Sequence, residues 1–582
     1  KLMRIFTLII ISILTCLPPF VSSPAWADET AAFEAILSEH WARAGEEKIF
    51  FRTDPDTFRP DGPLPDFSAA GRTRRQSFNG KILKRLSAID PDALSPADRV
   101  SYRLFLYERE TEAAHHEMPD HYFPITSLFG YHTYFANAPY NMAFDQRNDY
   151  ERYLVSLADF TRYNQNHLDL LREAAAAGLT QYCGSLDGVL PSIRALVVDT
   201  PEESDLYAPF ATFPDGFTER EQKSLRKRGR KLIREAIIPG YRALETVFTQ
   251  TYLPACRQSP AVTSIPGGDA YYAYLLRFFT TTDMTPSAIH ALGLGEVARI
   301  RTEMEAIINA VEFDGDFDAF LTFLRTDPQF YASTEQALLE RVAYITKTMD
   351  GKMPRLFGRL ARNTYEVRGT KGRGAYYVAA ADDRTPGTYF IATGNLPAQP
   401  LYNLEALSLH EAVPGHHHQS AIARELDVPE FRKTVYHAAY GEGWGLYSEQ
   451  LGKEVGFYTD PYSDFGRLTY EMWRACRLVV DTGLHAFGWS RQQAIDYLLG
   501  NTGLSEDEVV SEVDRYITWP GQATAYKIGE LRILAMRARA EETLGRAFDR
   551  RAFHDLIVGH GSLPIALLDE LVDQWIEDQA QQ

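Results

Sequence analysis

Cysteine is scarce in this chain: four of its 582 residues are cysteines, and no two of them form a CxxC pair. Zinc sites built from thiolates need several cysteines at short spacing, so this class of metal site is excluded. Cys16 falls in the N-terminal segment considered below. In an oxidising compartment Cys183 and Cys256 could form a disulfide, which would leave Cys476 buried and free in an apolar helix.

An excess of positive charge is also lacking. The chain has 60 lysines and arginines against 78 aspartates and glutamates, for a formal net charge of -18. Domains that bind nucleic acid usually carry a basic surface, so a nucleic-acid partner is not expected. Acidic charge of this size favours solubility and carries no information about the substrate.

Beyond its first residues the sequence lacks an apolar run long enough to cross a membrane. At the N-terminus two basic residues precede the apolar run 5–17, and Ala25-Trp26-Ala27 supplies an A-x-A cleavage site. We therefore predict that residues 1–27 are a signal peptide and that the mature chain is exported, either periplasmic or secreted, with no stable membrane span. A membrane anchor is the alternative, but the run is short and two prolines follow it.

Helical periodicity is the main pattern in the sequence. Apolar residues recur three and four positions apart along most of the chain, which predicts a mainly α-helical fold. The predicted helices cover residues 31–44, 95–116, 149–177, 219–251, 286–311, 431–455, 467–487, 491–499, 506–517, 526–544 and 565–578. Ser95-Pro96 and Thr285-Pro286 are typical helix starts, with a capping hydroxyl before a proline in the first turn.

The residue pattern changes between Thr364 and Thr393, where three short β-prone stretches are separated by glycine and Pro-Gly turn signals. We predict a small β-sheet of two or three strands beside the motif described next. One edge of this sheet could pair with an extended peptide backbone. Alternatively, the sheet has a purely structural role. The simplest architecture is one unit with a helical scaffold lobe over 28–320 and a second lobe over 321–582.

The segment that carries chemistry begins at His410-Glu411 and continues through Pro414-Gly415 to three histidines, His416 to His418. In the zinc-binding helix HExxH two histidines lie one turn apart and the glutamate faces the metal-bound water. Here the second histidine comes two positions late, and a regular helix would turn it away from the first. Because the Pro-Gly pair can break the helix, we predict that His410 and His416 are metal ligands, with His417 as the alternative second ligand.

A third ligand is predicted at Glu442, which stands among three glycines at positions 441, 443 and 445 in a segment that is otherwise helical. Glycine costs a helix about 1 kcal/mol relative to alanine, so three of them indicate a close approach to a neighbouring helix. Two histidines and a carboxylate with an open fourth position suit a hydrolytic Zn²⁺ site, with Glu411 as general base. A structural zinc would be closed by four ligands and would not need an acid beside a ligand histidine.

These residues carry a resemblance to a known family. The segments from His410 to Gln419 and from Glu442 to Glu449 resemble the patterns HEAxPGHHxQ and EGWALYxE of the bacterial domain of unknown function 885 (DUF885) family of proposed zinc metallopeptidases, with Gly445 where alanine is usual. Residues 280–286, 289–300, 466–485 and 520–529 are similar to its other blocks. The family is itself similar in plan to helical peptidases such as angiotensin-converting enzyme and thermostable carboxypeptidases, which implies a large two-lobed helical metallopeptidase fold with a central cleft and short peptides as substrates.

Supporting residues are less well specified by the sequence. A hydrolytic site needs a hydrogen-bond donor for the developing oxyanion, and Tyr526 and His485 are our candidates. Asp481 is a candidate for orienting a ligand histidine. Arg467, Arg474, Arg477 and Lys527 could bind the terminal carboxylate of a peptide, or could pair with nearby acids.

The predicted function is therefore zinc-dependent hydrolysis of peptide bonds in short peptides, as a carboxypeptidase or an oligopeptidase. One alternative is a zinc hydrolase acting on a non-peptide amide or ester. Another is an exported peptide-binding protein without catalytic activity, for which Glu411 would not be needed.

Overall fold

The computed structural model describes residues 24–46, 62–372, 374–380 and 384–581. Within these ranges the chain is mainly α-helical with one small sheet, as predicted. The helices up to residue 350 are α1 (Pro24–Glu46), α2 (Ala69–Leu86), α3 (Pro96–His116), α4 (Tyr131–Asn137), α5 (Arg147–Ala177), α6 (Val189–Ala195), α7 (Ala208–Ala211), α8 (Glu219–Leu232), α9 (Ile238–Val247), α10 (Gly268–Thr280), α11 (Pro286–Ala310), α12 (Phe317–Thr326) and α13 (Glu335–Asp350). The later helices are α14 (Leu404–Glu411), α15 (His416–Arg424), α16 (Glu430–Thr434), α17 (Ala438–Glu454), α18 (Pro461–Ala486), α19 (Arg491–Asn501), α20 (Glu506–Thr518), α21 (Ala525–Leu544), α22 (Arg550–Gly559) and α23 (Ile565–Ala580).

Both predicted helix starts are present. The Ser95 hydroxyl accepts a hydrogen bond from the Asp98 amide at 3.1 Å, and the Thr285 hydroxyl accepts one from the Ala288 amide at 3.2 Å. Each cap satisfies a donor that the first helical turn leaves without a partner. These bonds fix where α3 and α11 begin.

Two predicted helices are interrupted. The helix predicted over 219–251 contains π-helical turns at Ile233–Ile237 and Phe248–Tyr252. The helix predicted over 431–455 is split, because α16 ends at Thr434 and α17 begins at Ala438. At the split the amide of His437 donates to the hydroxyl of Ser562 at 2.8 Å instead of to a helical carbonyl.

The sheet consists of β1 (Tyr365–Thr370), β2 (Tyr376–Val378) and β3 (Gly387–Ala392). β3 is central, parallel to β1 and antiparallel to β2. The hydroxyl of Tyr377 lies 3.1 Å from Nδ1 of His417, so the sheet stands beside the histidine motif as predicted. β2 forms an edge whose outer side chains, Tyr376 and Val378, are exposed.

The main apolar core joins residues from both predicted lobes, for example Tyr163 of α5 and Trp444 of α17. A second core lies between α11, α12, α18, α19 and α20, and includes Met304 and Cys476. The predicted lobe boundary at residue 320 stays a prediction.

In the described ranges no helix combines the length and apolarity needed to cross a bilayer. The predicted signal peptide, 1–27, lies outside the described residues except for its last four, with which α1 begins.

Cys183 and Cys256 form the disulfide that the sequence allowed, with 5.2 Å between their α-carbons and 73 residues of separation. Cys476 is buried and free, as expected. We predict that Cys183→Ser, Cys256→Ser and the double variant each lower the free energy of unfolding by roughly 2–4 kcal/mol, because each removes the same restriction on the unfolded chain. Urea denaturation without reductant measures this loss.

A reducing agent serves as the control for that comparison. It should lower the stability of the wild-type protein to that of the variants and leave the variants unchanged. A double variant much less stable than either single variant would contradict the prediction.

Candidate metal centre

The histidine motif is a helix, a break and a second helix. α14 ends at Glu411 and α15 begins at His416, so the predicted interruption is present. The amide of Gly415 donates to the carbonyl of Leu409 at 2.9 Å. A β-carbon at position 415 would collide with the backbone oxygens of Leu409 and His410, so only glycine fits this position. The indole of Trp444 donates to the carbonyl of Pro414 at 2.9 Å, which ties the break to α17.

The break brings three side chains together. One ligand atom from each of His410, His416 and Glu442 lies within 4.8 Å of the other two. Oε2 of Glu442 is 3.6 Å from Nε2 of His410 and 3.4 Å from Nε2 of His416. The two imidazole rings are perpendicular, with centroids 4.7 Å apart.

These separations fit a zinc ion. Tetrahedral bonds of about 2.0–2.1 Å to nitrogen and oxygen separate the ligand atoms by roughly 3.4 Å. The two measured Glu442 distances, 3.6 and 3.4 Å, are close to this value. Two imidazole nitrogens and a carboxylate oxygen form the donor set of catalytic zinc sites in peptidases.

His417, the alternative ligand, faces away from this group. Its Nδ1 lies 3.1 Å from the Tyr377 hydroxyl and its Nε2 lies 3.2 Å from the carbonyl of Asn363. Burial lowers the pKa of His417 to about 4, which keeps the ring neutral at physiological pH. With both ring nitrogens engaged, His417 links the motif to the sheet.

The glycines of α17 allow close contacts on three sides. A β-carbon at Gly445 would lie 2.6 Å from Cε1 of His410, and one at Gly443 would lie 2.5 Å from the backbone of Gly529 in α21. A β-carbon at Gly441 would collide with the ring of Tyr436. The predicted approach to the motif helix is therefore made at Gly445, while Gly443 serves a different contact with α21.

Glu449 orients His410, a role that the sequence analysis did not assign. Its Oε1 lies 2.8 Å from Nδ1 of His410, and the residue is fully buried. A carboxylate on the second ring nitrogen fixes the tautomer that leaves Nε2 free for a metal. The available signal was spacing, since Glu449 follows Glu442 by seven residues, about two helical turns, on the same face of α17.

Asp481, the residue expected in this orienting role, lies elsewhere in the core. Its carboxylate accepts hydrogen bonds from the Tyr272 hydroxyl at 2.6 Å and from the Gly521 amide. Burial raises its pKa to about 7, and those two hydrogen bonds oppose the shift. Asp481 therefore ties α18 to α10 and to the segment before α21.

The electrostatics of the centre favour a cation between its three side chains. Burial opposes the charged form of His410, but hydrogen bonds with Glu442 and Glu449 outweigh this and raise its pKa to about 9. Burial likewise opposes the charged form of Glu442, and the hydrogen bonds from His410 and His416 hold its pKa well below the usual value. A proton shared here occupies the position in which a metal ion would make the same contacts.

Glu411 and two tyrosines surround the group. Glu411 is 8% exposed, and its charge contributes to the raised pKa values of His410 and Tyr436. The ring of Tyr526 is stacked 6.4 Å from that of His410. Tyr436, which the sequence analysis missed, donates its hydroxyl to Oε1 of Glu442 at 2.9 Å, and 57% of its surface reaches solvent.

His485, the other candidate oxyanion donor, is not brought to the site. Its Nδ1 accepts a hydrogen bond from the Val262 amide at 3.0 Å, and its Nε2 lies 3.0 Å from the Tyr516 carbonyl. Burial lowers the pKa of this ring to about 3. A fully buried imidazole with both nitrogens engaged serves the core, so His485 has no free donor for a substrate.

The basic residues near the centre pair mainly with acids. Arg467 donates to Asp464 at 2.7 Å, and the Lys527 ammonium donates to Glu530 at 2.6 Å. Arg477 donates to Glu512 at 2.9 Å, and its guanidinium carbon lies 4.5 Å from the ring centroid of Tyr526. These contacts favour the structural interpretation of the basic residues over carboxylate recognition.

Comparisons with known proteins agree with this fold. A family model described as a bacterial protein of unknown function, DUF885, matches residues 51–572. The crystal structure of a candidate lipoprotein from Colwellia psychrerythraea has a TM-score of 0.82 at 26% sequence identity, covering 95% of this chain and 99% of that one. A candidate lipoprotein of unknown function from Shewanella oneidensis has a TM-score of 0.67 at 17% identity, covering 94% and 100%, and shows likeness of fold alone. No curated protein matches the chain significantly.

Adjacent histidines provide a matched test of the ligand set. We predict that His416→Ala lowers zinc affinity by at least about a hundredfold, because two ligands remain where catalytic zinc needs three. His417→Ala should retain zinc within a few fold, because its ring nitrogens bond to Tyr377 and Asn363. Chelator competition measures both affinities, and retained affinity in His416→Ala would contradict the assignment.

A second prediction concerns Glu449. Glu449→Gln keeps the size of the side chain but removes the charge that orients His410, so zinc affinity should fall roughly 10- to 100-fold. Glu430→Gln is the control, since Glu430 is exposed on α16 and pairs with Lys433. Equal zinc affinity in the two variants would show that Glu449 has no such role.

Proposed function

The chain belongs to the DUF885 family of bacterial proteins of unknown function, and we propose that it is a zinc-dependent peptidase acting on short peptides. The observation that carries the proposal is the convergence of His410, His416 and Glu442, with Glu411 following the first ligand directly in the sequence. A general base beside a three-ligand site is the arrangement expected of a hydrolase.

The number of ligands supports catalysis over a structural role. Among the described residues the group contains three members with metal-binding side chains. A structural zinc is closed by four protein ligands, whereas a catalytic zinc keeps one position for water or substrate. The exposure of Tyr436 indicates that solvent reaches the side of the group near Glu442.

His410, His416 and Glu442 would hold the zinc, which would supply Lewis acidity for activating water and polarising a carbonyl group. The carboxylate of Glu411 takes the proton from the attacking water and returns it to the leaving amine. Tyr436 holds Oε1 of Glu442, which directs Oε2 toward both histidines. Tyr526 stands over His410 and is our candidate donor to the developing oxyanion.

The surroundings suit a peptide substrate. β2 is an edge strand that contacts the motif through His417, and an extended peptide backbone can pair with such an edge. A carboxypeptidase and an oligopeptidase remain the two forms of the proposal. Export to the periplasm or beyond the cell is supported by the predicted signal peptide, by the disulfide and by the lipoprotein description of the Colwellia protein.

Two other functions differ from this proposal in what they require. A zinc hydrolase of a non-peptide amide or ester would use the same side chains on another substrate. A non-catalytic peptide-binding protein would have no need of Glu411. Product analysis with a peptide library and a panel of acyl amides separates the peptidase from the hydrolase of non-peptide substrates. Cleavage of the acyl amides alone would overturn the peptidase assignment.

We predict that Glu411→Gln retains bound zinc and lowers peptide turnover by roughly a hundred- to ten-thousand-fold, because the amide cannot take a proton from water. Metal analysis of the purified protein and mass spectrometry of the cleaved peptides measure the two quantities. Glu430→Gln, an exposed exchange of the same kind, should leave both unchanged. Full turnover in Glu411→Gln would remove the proposed mechanism.

A further inference from the structure

A cavity of about 270 Å³ lies between the segment after α3, α10 and the end of α20, and contains none of the residues of the metal centre. Its walls are largely apolar, and include the aromatic side chains of Phe123, Phe279 and Trp519. An apolar cavity of roughly 150 Å³ is enough to hold benzene, so this one can hold an aromatic side chain with further atoms attached.

Two charged groups of opposite sign line the same cavity. Asp120 accepts a hydrogen bond from the Tyr271 hydroxyl at 2.8 Å through Oδ1. Its Oδ2 is buried, lies 3.6 Å from Nδ1 of His115, and has no hydrogen-bond partner among the described residues. The guanidinium of Arg257 donates to the carbonyl of Pro260 at 3.3 Å through Nη2, while its Nε is buried and has no acceptor within the described part of the chain.

The charged forms of both groups are poorly compensated. Burial raises the pKa of the Asp120 carboxyl, and burial lowers the pKa of the Arg257 guanidinium to about 10. Buried charges are costly when they are poorly compensated, and a ligand in the cavity that carries both an ammonium and a carboxylate would offset both groups.

We propose that this cavity binds a zwitterionic α-amino acid with an apolar or aromatic side chain, its ammonium group toward Asp120 and its carboxylate toward Arg257. An ammonium donates hydrogen bonds and a carboxylate accepts them, which complements the carboxylate of Asp120 and the guanidinium of Arg257 in the cavity wall. The aromatic walls bury the side chain. A free amino acid carries both charges on one carbon, whereas each end of a peptide carries only one of them, so the pair of charged groups favours the free amino acid.

The wall that carries Arg257 is held in place by covalent and backbone contacts. Arg257 follows Cys256 of the disulfide, its amide donates to the carbonyl of Gln181 at 3.1 Å, and its carbonyl accepts from the Cys183 amide at 3.0 Å. Gln181 also lines the cavity. A preformed wall reduces the entropy lost when a ligand binds.

This site does not depend on the proposed hydrolysis. The cavity contains no residue of the metal centre, so binding should survive removal of the metal. Loss of binding in the presence of EDTA would instead assign the amino acid to the metal centre and overturn the proposal.

Isothermal titration of the purified protein with L-phenylalanine tests the inference. L-phenylalanine should bind at least roughly tenfold more tightly than 2-phenylethylamine or 3-phenylpropionate, because each analogue lacks one of the two charged contacts. The affinity should be the same with and without EDTA. Absence of binding, or equal affinity for the three compounds, would overturn the proposal.

Variants identify the residues. Asp120→Asn keeps the acceptor for Tyr271 and should weaken L-phenylalanine binding roughly tenfold or more while leaving 3-phenylpropionate unaffected. Arg257→Gln should show the converse selectivity, with 2-phenylethylamine unaffected. Asp92→Asn is the matched control, since the Asp92 side chain is 90% exposed. Thermal unfolding of each variant checks folding, and wild-type affinity in a folded Asp120→Asn variant would contradict the assignment.

Tryptophan fluorescence offers an independent measurement of where the ligand binds. Trp519 lines the cavity and is 36% exposed, so binding should change its emission. Trp519→Phe should lose this change while the titration still detects binding. An unaltered fluorescence response in Trp519→Phe would place the ligand elsewhere.

Discussion

The candidate metal centre depends on one constraint: the backbone must stop being helical between Glu411 and His416. A continuous helix would rotate His416 well away from His410, because six residues fall short of two full turns. The structure meets the constraint through the space left by Gly415 and the hydrogen bond from Trp444 to Pro414. The interruption is therefore held by a neighbouring helix as well as by its own sequence.

α17 is that neighbouring helix, and it combines two requirements that usually conflict. It has to approach α14 and α21 closely, which calls for small residues, and it has to remain helical despite them. Contacts on three sides compensate for the low helix propensity of its glycines, since Gly445 faces His410, Gly443 faces Gly529 and Gly441 faces Tyr436. α17 also places two carboxylates at the centre: Glu442 is a candidate ligand, and Glu449 orients the ligand His410.

The sequence predicted what local rules determine. The break between α14 and α15 was predicted from a Pro-Gly pair, and the close approach of α17 to α14 was predicted from the cost of three glycines in a helix. The start of α11 was predicted from Thr285. It did not predict what depends on distant partners. At the split before α17 the amide of His437 bonds to Ser562, which lies 125 residues away in the sequence. His485 and Glu449 are both fully buried side chains on helices, and only their neighbours in space distinguish a core imidazole from the carboxylate that orients His410.

The charge balance of the centre explains why these parts belong together. The negative charges of Glu449 and Glu411 act on His410 in addition to its contact with Glu442, and His410, Glu411 and Glu449 are all buried. Burying several carboxylates together is costly unless a cation, either a proton on His410 or a metal ion, accompanies them, because the surrounding protein screens their repulsion poorly. Arg474, 3.6 Å from Oε1 of Glu449, offsets part of this charge from one side. On the other side the two histidines and Glu442 face one another. A divalent cation among them would reduce the repulsion between the carboxylates and would bind the ring nitrogens that face it.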